Sequence, residues 1–383
     1  RTLWARKTGN PRIANLADSQ LLQDAELVIN NEITFAALIL FGTHEALGRH
    51  LNQAEFIFEY RAHEAAGPAQ ERIDYRRGFF LFHDDLWHRI NQRNDRQSYQ
   101  SGLFRFEIPT FDEIVIREAT LNAVCHRDYR LGGSVFVRQF PRRLEVSSPG
   151  GLLPGVTIDN ILDQHSPRNR RLAEAFARCG LVERSGQGMN LMFERCIQQG
   201  KPLPDLHGSS GFEVRLILHG SVSNPEFVRF LERVGRERLQ SFSTYDFLLL
   251  DIVARDDTIP DSLRSNLNRL VELGVVERVG RGRGTRVLLS RSLYALMGRR
   301  GTYTRRKGLD RETHKELLLR HLQDCRDSGS PLAELNQVLP QLSRRQVQEL
   351  MQELLREGRV QLRGARRWAR WIISMNNVSD GGA

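Results

Sequence analysis

The sequence predicts an α/β (α+β) sandwich up to about residue 220, followed by two winged helix-turn-helix domains. Two observations predict this fold class. Before residue 220, segments with helical periodicity alternate with segments of period two, which is typical of a sheet covered by helices. After it, helices are followed by a strand, a turn rich in Gly and Arg, and a second strand, and this plan occurs twice.

In the sandwich, an apolar, helix-like segment is predicted from Leu21 to Phe41, a strand over residues 54–60, and a helix from about Phe79 to Asn94. Thr110 and Glu113 have the spacing of a capping box, so the next helix should start at Phe111 and end near His126. Further elements follow as a hairpin turning at Pro141-Arg142, a helix over 169–179, a helix over 190–199 and a closing strand over 212–218.

The two C-terminal copies share a clear internal repeat. LNRLVELGVVERVGRGRG in the first copy is parallel to MQELLREGRVQLRGARR in the second. The predicted helices cover 243–254 and 260–273 in the first copy, and 311–325, 331–339 and 343–357 in the second. We therefore predict four parts: 1–105, an N-terminal part of the α/β region; 106–220, the main α/β domain; 221–302, winged helix 1; and 303–383, winged helix 2.

Composition excludes several classes of protein. The 383 residues are 40% hydrophobic and 27% charged, and the longest apolar stretch, Phe35–Phe41, is too short to span a bilayer. Four cysteines without CxxC spacing argue against a zinc site or a disulfide framework, so we expect a cytoplasmic protein. Because the chain begins at Arg1 without Met or a leader, we expect a further domain upstream.

The positive charge is concentrated toward the C-terminus. Of a net charge of +10, residues 221–383 contribute 29 Lys and Arg against 20 Asp and Glu, and residues 278–308 hold basic residues with no Asp or Glu. A run of one sign favours contact with phosphates. Duplex DNA is the predicted partner, with a homo-oligomer expected because such proteins usually read two half-sites.

The stretch REATLNAVCHRDYR carries the candidate chemistry. Glu118, Asn122 and His126 follow one another at four-residue spacing, which places them along one face of a helix. An Asn carbonyl is a suitable Mg²⁺ ligand and a nearby Glu can accept a proton from attacking water, so the pattern suits metal-assisted phosphoryl chemistry. The same spacing also occurs by chance in purely structural helices.

The HRDY sequence has two readings. It shares HRD with protein kinases, but no Asn stands five residues after Asp128 and no DFG follows, which argues against a kinase. HRDY is also compatible with a hydrogen-bonded turn that ends the helix. No GxxxxGK[ST] motif occurs, so the chain has no P-loop helicase motor.

Five segments carry a family resemblance: ITFAALILFG, EATLNAVCHRDYR, LEVSSPGGLLPGV, PRNRRLAEAF and GLVERSGQGM. Together they resemble bacterial transcriptional regulators often labelled RecG-like helicases, in which a Schlafen-type AlbA-like domain precedes a divergent histidine-kinase/gyrase/Hsp90-type ATPase domain. The resemblance covers roughly Ile33 to Leu218.

The resemblance implies ATP and Mg²⁺ as cofactors, Glu118 as general base and Asn122 as the Mg²⁺ ligand. It also implies cofactor contacts from His126, Asp128, Gly150, Gly151, Gly186 and Gly188. This chain departs from active ATPases at the residues that recognise the adenine ring. Active ATPases carry an Asp that reads the adenine amino group, and this chain has Ser148-Pro149-Gly150-Gly151 in the corresponding loop. Adenine specificity and turnover are therefore both in question.

The predicted DNA contacts lie on the second helix or the wing of each repeat. Arg344, Arg345 and Gln348 begin the better recognition helix, and Arg264 and Asn268 hold comparable positions in the first copy. The predicted wing contacts are Arg281, Arg283, Arg286, Arg363, Arg366 and Arg367. Winged helices also serve as dimerisation or protein-docking modules, so that alternative stays open.

Three functions are compatible with the sequence. The first is a DNA-binding transcriptional regulator with a nucleotide-binding sensor domain. The second is a Mg²⁺-dependent, DNA-coupled ATPase that controls an N-terminal effector, as in phage defence. The third is a scaffold with a catalytically dead ATPase fold.

Overall fold

The computed structural model describes residues 1–63, 67–101, 104–164, 166–182, 187–223, 225, 227–228, 231, 242–255, 257–279, 286–296, 310–325, 328–340, 342–364 and 369–374. The chain divides into a first unit, Arg1–Asp251, and a second unit, Ile252–Ala383. Within the described residues, no helix combines the length and apolar content that crossing a membrane requires.

The first unit alternates helices and strands. Its α-helices are α1 Thr2–Thr8, α2 Asp18–Asp24, α3 Phe35–Phe41, α4 His44–His50, α5 His83–Gln92, α6 Glu113–His126, α7 Arg170–Arg178 and α8 Gly188–Gln198. Its strands are β1 Val28–Ile29, β2 Glu32–Ile33, β3 Phe56–Tyr60, β4 Glu71–Tyr75, β5 Arg96–Ser101, β6 Phe104–Pro109, β7 Val135–Gln139, β8 Arg143–Pro149 and β9 Glu213–His219. Short 3₁₀ helices cover Pro11–Asn15, Phe79–Leu81 and Ile158–Asn160.

A five-stranded mixed sheet in the order β4-β3-β7-β8-β9 forms the centre of this unit. Strands β3 and β7 pair in parallel, with Phe58 opposite Val137, and the other neighbours pair antiparallel. The core lies against this sheet and includes fully buried residues from strands and helices: Phe58, Leu121, Val137, Leu144, Phe176 and Met192. This mixed sheet with its covering helices is an α+β domain.

The expected helix-like segment from Leu21 to Phe41 is wrong as one element. Helix α2 ends at Asp24, and Asn30 and Asn31 both take positive φ, so they form the turn of the β1–β2 hairpin. Asn tolerates this left-handed conformation better than most residues. Helix α3 begins only after Thr34, whose side chain accepts a hydrogen bond from the Ala37 N–H.

The start of α6 also differs from the expectation. Asp112, and not Thr110, caps the helix: its carboxylate accepts hydrogen bonds from Ile114 N at 2.9 Å and Val115 N at 3.2 Å. The hydroxyl of Thr110 instead accepts a bond from Arg142 at 2.8 Å. The predicted end at His126 is confirmed.

The second unit repeats one plan. Helix α9 Thr244–Arg255 enters it across the unit boundary, followed by a 3₁₀ turn, α10 Arg264–Glu272, β10 Val276–Val279, β11 Arg286–Leu289 and α11 Arg291–Leu296. The second copy has α12 Asp310–Asp324, α13 Leu332–Val338, α14 Arg344–Arg356, β12 Val360–Arg363 and β13 Arg370–Ile373. Strands β10–β11 and β12–β13 are antiparallel hairpins.

The helix before each hairpin and the hairpin itself correspond at an offset of 84, which takes Val276 to Val360 and Arg286 to Arg370. Gly274 and Gly358, at the same offset, end their helices with φ of 66° and 71°. Val276 and Val360 are each 1% exposed. The internal sequence repeat therefore corresponds to a repeated arrangement of helix and hairpin.

Candidate functional site

Helix α6 carries three polar side chains to the wall of one cavity. Glu118, Asn122 and His126 all line it, and its volume is about 620 Å³. Because side chains four residues apart lie on one helical face, the helix alone explains their alignment. Glu118 is buried, whereas Asn122 and His126 are partly exposed.

The cavity has an apolar wall and a polar rim. The apolar wall comes from the sheet and α8, with contributions from Val146, Met192, Leu206, Val214 and Leu216. Polar side chains that also line the cavity include Gln164, Arg168 and Arg170. A volume of this size, with one apolar wall and a few polar groups, is what small-molecule sites commonly show.

The loop after β8 requires its two glycines. Gly150 has φ of +102°, and a Cβ there would lie 2.8 Å from the Cβ of Asp128. A Cβ on Gly151 would lie 2.6 Å from the carbonyl oxygen of Gly211. Both glycines line the cavity, so this loop brings bare backbone to its edge.

Gly188 brings the start of α8 against Glu118. A Cβ at position 188 would lie 2.4 Å from Glu118 Oε2 and 3.6 Å from Asn122 Nδ2. The first turn of a helix presents backbone N–H groups and the positive end of its dipole. The helix start, the carboxylate and the amide therefore meet at one end of the cavity, where an anionic group would find donors.

The segment after α6 forms a hydrogen-bonded turn. Arg127 is 1% exposed, and its guanidinium donates to the carbonyl oxygens of Gln53 at 2.8 Å, Asp128 at 3.0 Å, Leu131 at 3.3 Å and Gly133 at 2.6 Å. Asp128 N donates to Pro149 O at 2.8 Å. These bonds fix the Gly150-Gly151 loop after β8, the glycine loop, to the end of α6.

Asp128 faces arginines and is not part of the cavity lining. Its carboxylate pairs with Arg130 at 2.6 Å and lies 3.6 Å from Arg168. The hydrogen bond from Arg130 holds the pKa of Asp128 well below its usual range. Its position favours a role in fixing the loop over direct contact with a ligand.

Arg168 is a site residue that the sequence did not single out. It lines the cavity, and its guanidinium donates to His126 O at 2.9 Å and Gly151 O at 2.6 Å. It thus joins the end of α6 to the glycine loop. The PRNRR segment pointed to this region, but spacing alone does not distinguish Arg168 from its two arginine neighbours.

Burial shifts the pKa values along α6. Burial, with the charge of Arg168, lowers the pKa of His126, so its imidazole is neutral at neutral pH. Burial and the nearby Glu118 raise the pKa of Cys125 to about 12, so this thiol stays protonated. His126 can therefore offer a hydrogen bond to a ligand, and Cys125 is inert lining.

Ser148 belongs to the loop Ser148-Pro149-Gly150-Gly151, in which the resemblance expects an adenine-reading Asp and this chain has none. The side chain lines the cavity, and its hydroxyl donates to Ala123 O at 3.0 Å. A hydroxyl committed to that carbonyl keeps its oxygen lone pairs as acceptors. The end of β8 therefore presents a neutral acceptor in place of a carboxylate.

The structure brings most of the predicted cofactor residues together. Glu118, Asn122, His126, Gly150, Gly151 and Gly188 all line the one cavity, although they span 70 residues of sequence from first to last. Gly186 lies outside the described residues.

The predicted DNA contacts of the second unit are partly described. Arg344, Arg345, Gln348, Arg286 and Arg363 are exposed. Arg264 pairs with Asp261 at 2.9 Å, Arg345 pairs with Glu349 at 3.2 Å, and Asn268 accepts a bond from Arg278 at 2.5 Å. Four predicted wing residues lie outside the described part of the chain: Arg281, Arg283, Arg366 and Arg367.

The α+β fold and its cavity are consistent with an ATPase-like domain, and a comparison with protein families supports that class. Residues 132–218 match the model of the family described as "Putative ATP-dependent DNA helicase recG C-terminal". The matched stretch contains the glycine loop, Arg168 and Gly188, and it begins after α6. Residues 132–218 are thus similar to the RecG C-terminal domain. Glu118 and Asn122 lie outside the matched stretch and line the same cavity.

Among solved structures, the chain is similar to the DIP2311 protein from Corynebacterium diphtheriae. The TM-score is 0.62 at 19% sequence identity, and the match covers 78% of this chain and 62% of that chain. At this identity the likeness shows the fold alone. The search of curated proteins gave no match.

Proposed function

We propose that this chain is a DNA-binding transcriptional regulator whose first unit binds a Mg²⁺-nucleotide as its signal. The observation that carries the proposal is the cavity on which Glu118, Asn122, the glycine loop and the start of α8 converge. The match of residues 132–218 to an ATPase-type family supports the same reading.

The cavity fits a nucleoside triphosphate with its metal ion. A Cβ at position 188 would lie 2.4 Å from Glu118 Oε2, so only bare backbone lets the start of α8 lie beside this carboxylate, and its free N–H groups could bind a phosphate. Asn122 would hold the magnesium ion through its side-chain oxygen, and the apolar wall would take the base. The metal would supply charge neutralisation for the phosphates.

The nucleotide part is tested by titrating the chain with a fluorescent ATP analogue and Mg²⁺. We expect micromolar binding that weakens at least tenfold, about 1.4 kcal/mol, in Asn122→Ala, because the variant loses the metal's ligand. Asn15→Ala is the matched control, since Asn15 is exposed on the N-terminal 3₁₀ helix. Equal binding by wild type and Asn122→Ala would remove Asn122 from the site, and no binding by either would favour the scaffold.

A second candidate function is hydrolysis. Its supporting observation is that the Glu118 carboxylate lines the same cavity as Asn122, where it could accept a proton from attacking water. Phosphate release that disappears in Glu118→Gln while analogue binding survives would establish an ATPase. Competition by GTP and CTP in the same titration would show whether Ser148, in place of Asp, has relaxed base selection.

The DNA part rests on the second unit. Each copy has helices followed along the chain by an antiparallel hairpin, and this element order supports a winged helix-turn-helix. Arg344, Arg345 and Gln348 are exposed on the first two turns of α14, whose Ser343 side chain caps it. We propose that α14 enters the major groove and that the chain binds as a homodimer on two half-sites.

Duplex binding should fall steeply with salt. Replacing both Arg344 and Arg345 by Ala should reduce the slope of log K against log salt by about 2, since each phosphate contact contributes roughly 0.9. Fluorescence anisotropy at several salt concentrations measures this slope. Arg49→Ala, an exposed arginine of the first unit, is the control; an unchanged slope in the double variant would exclude α14 from the interface.

A further inference from the structure

Three potential metal ligands meet in the second unit, away from the nucleotide cavity. His321 lies in the last turn of α12, Cys325 follows one turn later, and Glu334 lies in the first turn of α13. Their ligand atoms all lie within 4.8 Å of one another. The three residues are partly buried.

The distances are close to those of a tetrahedral zinc site. His321 Nε2 lies 3.3 Å from Glu334 Oε1 and 3.8 Å from Cys325 Sγ. Bonds of about 2.0–2.3 Å to zinc at tetrahedral angles put neighbouring ligand atoms roughly 3.3–3.6 Å apart. Small side-chain adjustments would therefore suffice to close the site.

The charges also match a divalent ion. A thiolate, a carboxylate and a neutral imidazole around Zn²⁺ give a site with no net charge. Thiolate and imidazole ligands favour zinc over magnesium or calcium, which prefer oxygen ligands. The hydroxyl of Ser330 lies 3.2 Å from the same His321 Nε2 and can complete the site directly or through a water molecule.

We propose that His321, Cys325 and Glu334 form a zinc site that joins α12, α13 and the second hairpin. Ser330 is fully buried, and its backbone exchanges two hydrogen bonds with Trp371 of β13, at 3.0 Å and 2.9 Å. A metal ion held beside Ser330 would therefore hold the helices against the strand. The site would adjust the rigidity of the unit that carries α14.

Cobalt replaces zinc as a coloured probe in the test. The untagged, reduced chain is titrated with Co²⁺ and the visible and near-ultraviolet spectra are recorded. We expect one equivalent to bind with the strong visible bands of tetrahedral cobalt and a thiolate-to-cobalt charge-transfer band, both lost on adding Zn²⁺. Zn²⁺ affinity should fall at least tenfold in Cys325→Ser and in Glu334→Gln.

The matched control is Cys179→Ser, which removes a half-buried cysteine of the first unit and should leave the spectrum unchanged. Circular dichroism shows whether each variant is folded. Absence of saturable cobalt binding in the wild type, or a charge-transfer band that persists in Cys325→Ser, would overturn the proposal. Because the readout is the metal spectrum, it is independent of nucleotide or DNA binding.

Discussion

Replacing Arg127 by Met is expected to lower the free energy of unfolding of the first unit by about 3–5 kcal/mol. The guanidinium is 1% exposed and donates to four backbone carbonyls, and it lies 4.8 Å from the centre of the Tyr129 ring. Each buried carbonyl that loses its donor costs about 1–3 kcal/mol, and partial relaxation reduces the sum. Urea unfolding followed by circular dichroism measures the change.

Arg130→Met is the control, three positions along the same turn. Its side chain is 85% exposed and pairs with Asp128 in solvent, so its removal should lower the stability far less than the removal of Arg127. Equal stability losses in the two variants would show that the turn tolerates the loss of the buried guanidinium. In that case the glycine loop would be held mainly by the Asp128 N–H bond to Pro149.

Gly188→Ala has the next largest expected effect, a loss of about 1–3 kcal/mol in unfolding free energy and at least a tenfold loss in Mg²⁺-nucleotide affinity. The added methyl group would lie 2.4 Å from Glu118 Oε2, so the carboxylate or the start of α8 must move. Helix propensity alone favours Ala over Gly by about 1 kcal/mol. The sign of the measured change in unfolding free energy therefore shows whether the clash with Glu118 or the helix propensity of Ala dominates.

Two variants make the Gly188 test specific. Gly48→Ala in α4 has open space around the added methyl group and should stabilise the chain. In a Glu118→Ala background the clashing oxygen is gone, and Gly188→Ala should then cost little, which a double-mutant cycle on unfolding measures. If Gly188→Ala costs as much unfolding free energy in the Glu118→Ala background as in the wild type, the strain does not come from the contact with Glu118.

The sequence indicated α6 well because its signal is local. Four-residue spacing on a helix puts Glu118, Asn122 and His126 on one face whatever the rest of the chain does. The exact start was missed because two capping residues compete two positions apart, and the carboxylate of Asp112 faces the orphan N–H groups while Thr110 bonds Arg142. Local sequence patterns predict the type of a secondary-structure element better than they predict its first and last residues.

Arg168 shows the opposite case. Its role depends on reaching the carbonyl oxygens of His126 and Gly151, which precede it by 42 and 17 residues. Three arginines in PRNRR have similar local surroundings in the sequence. Only the folded chain decides which of them bonds these two carbonyl oxygens.

The sequence by itself determined the α6 pattern, the Gly150-Gly151 loop, the C-terminal repeat and the concentration of positive charge, since each is a matter of spacing or counting. The tertiary structure decided the rest: the parallel pairing of β3 with β7, the approach of Gly188 to Glu118, and the meeting of His321, Cys325 and Glu334. Such meetings depend on sheet order and helix packing, which bring distant segments together through contacts that local periodicity does not encode.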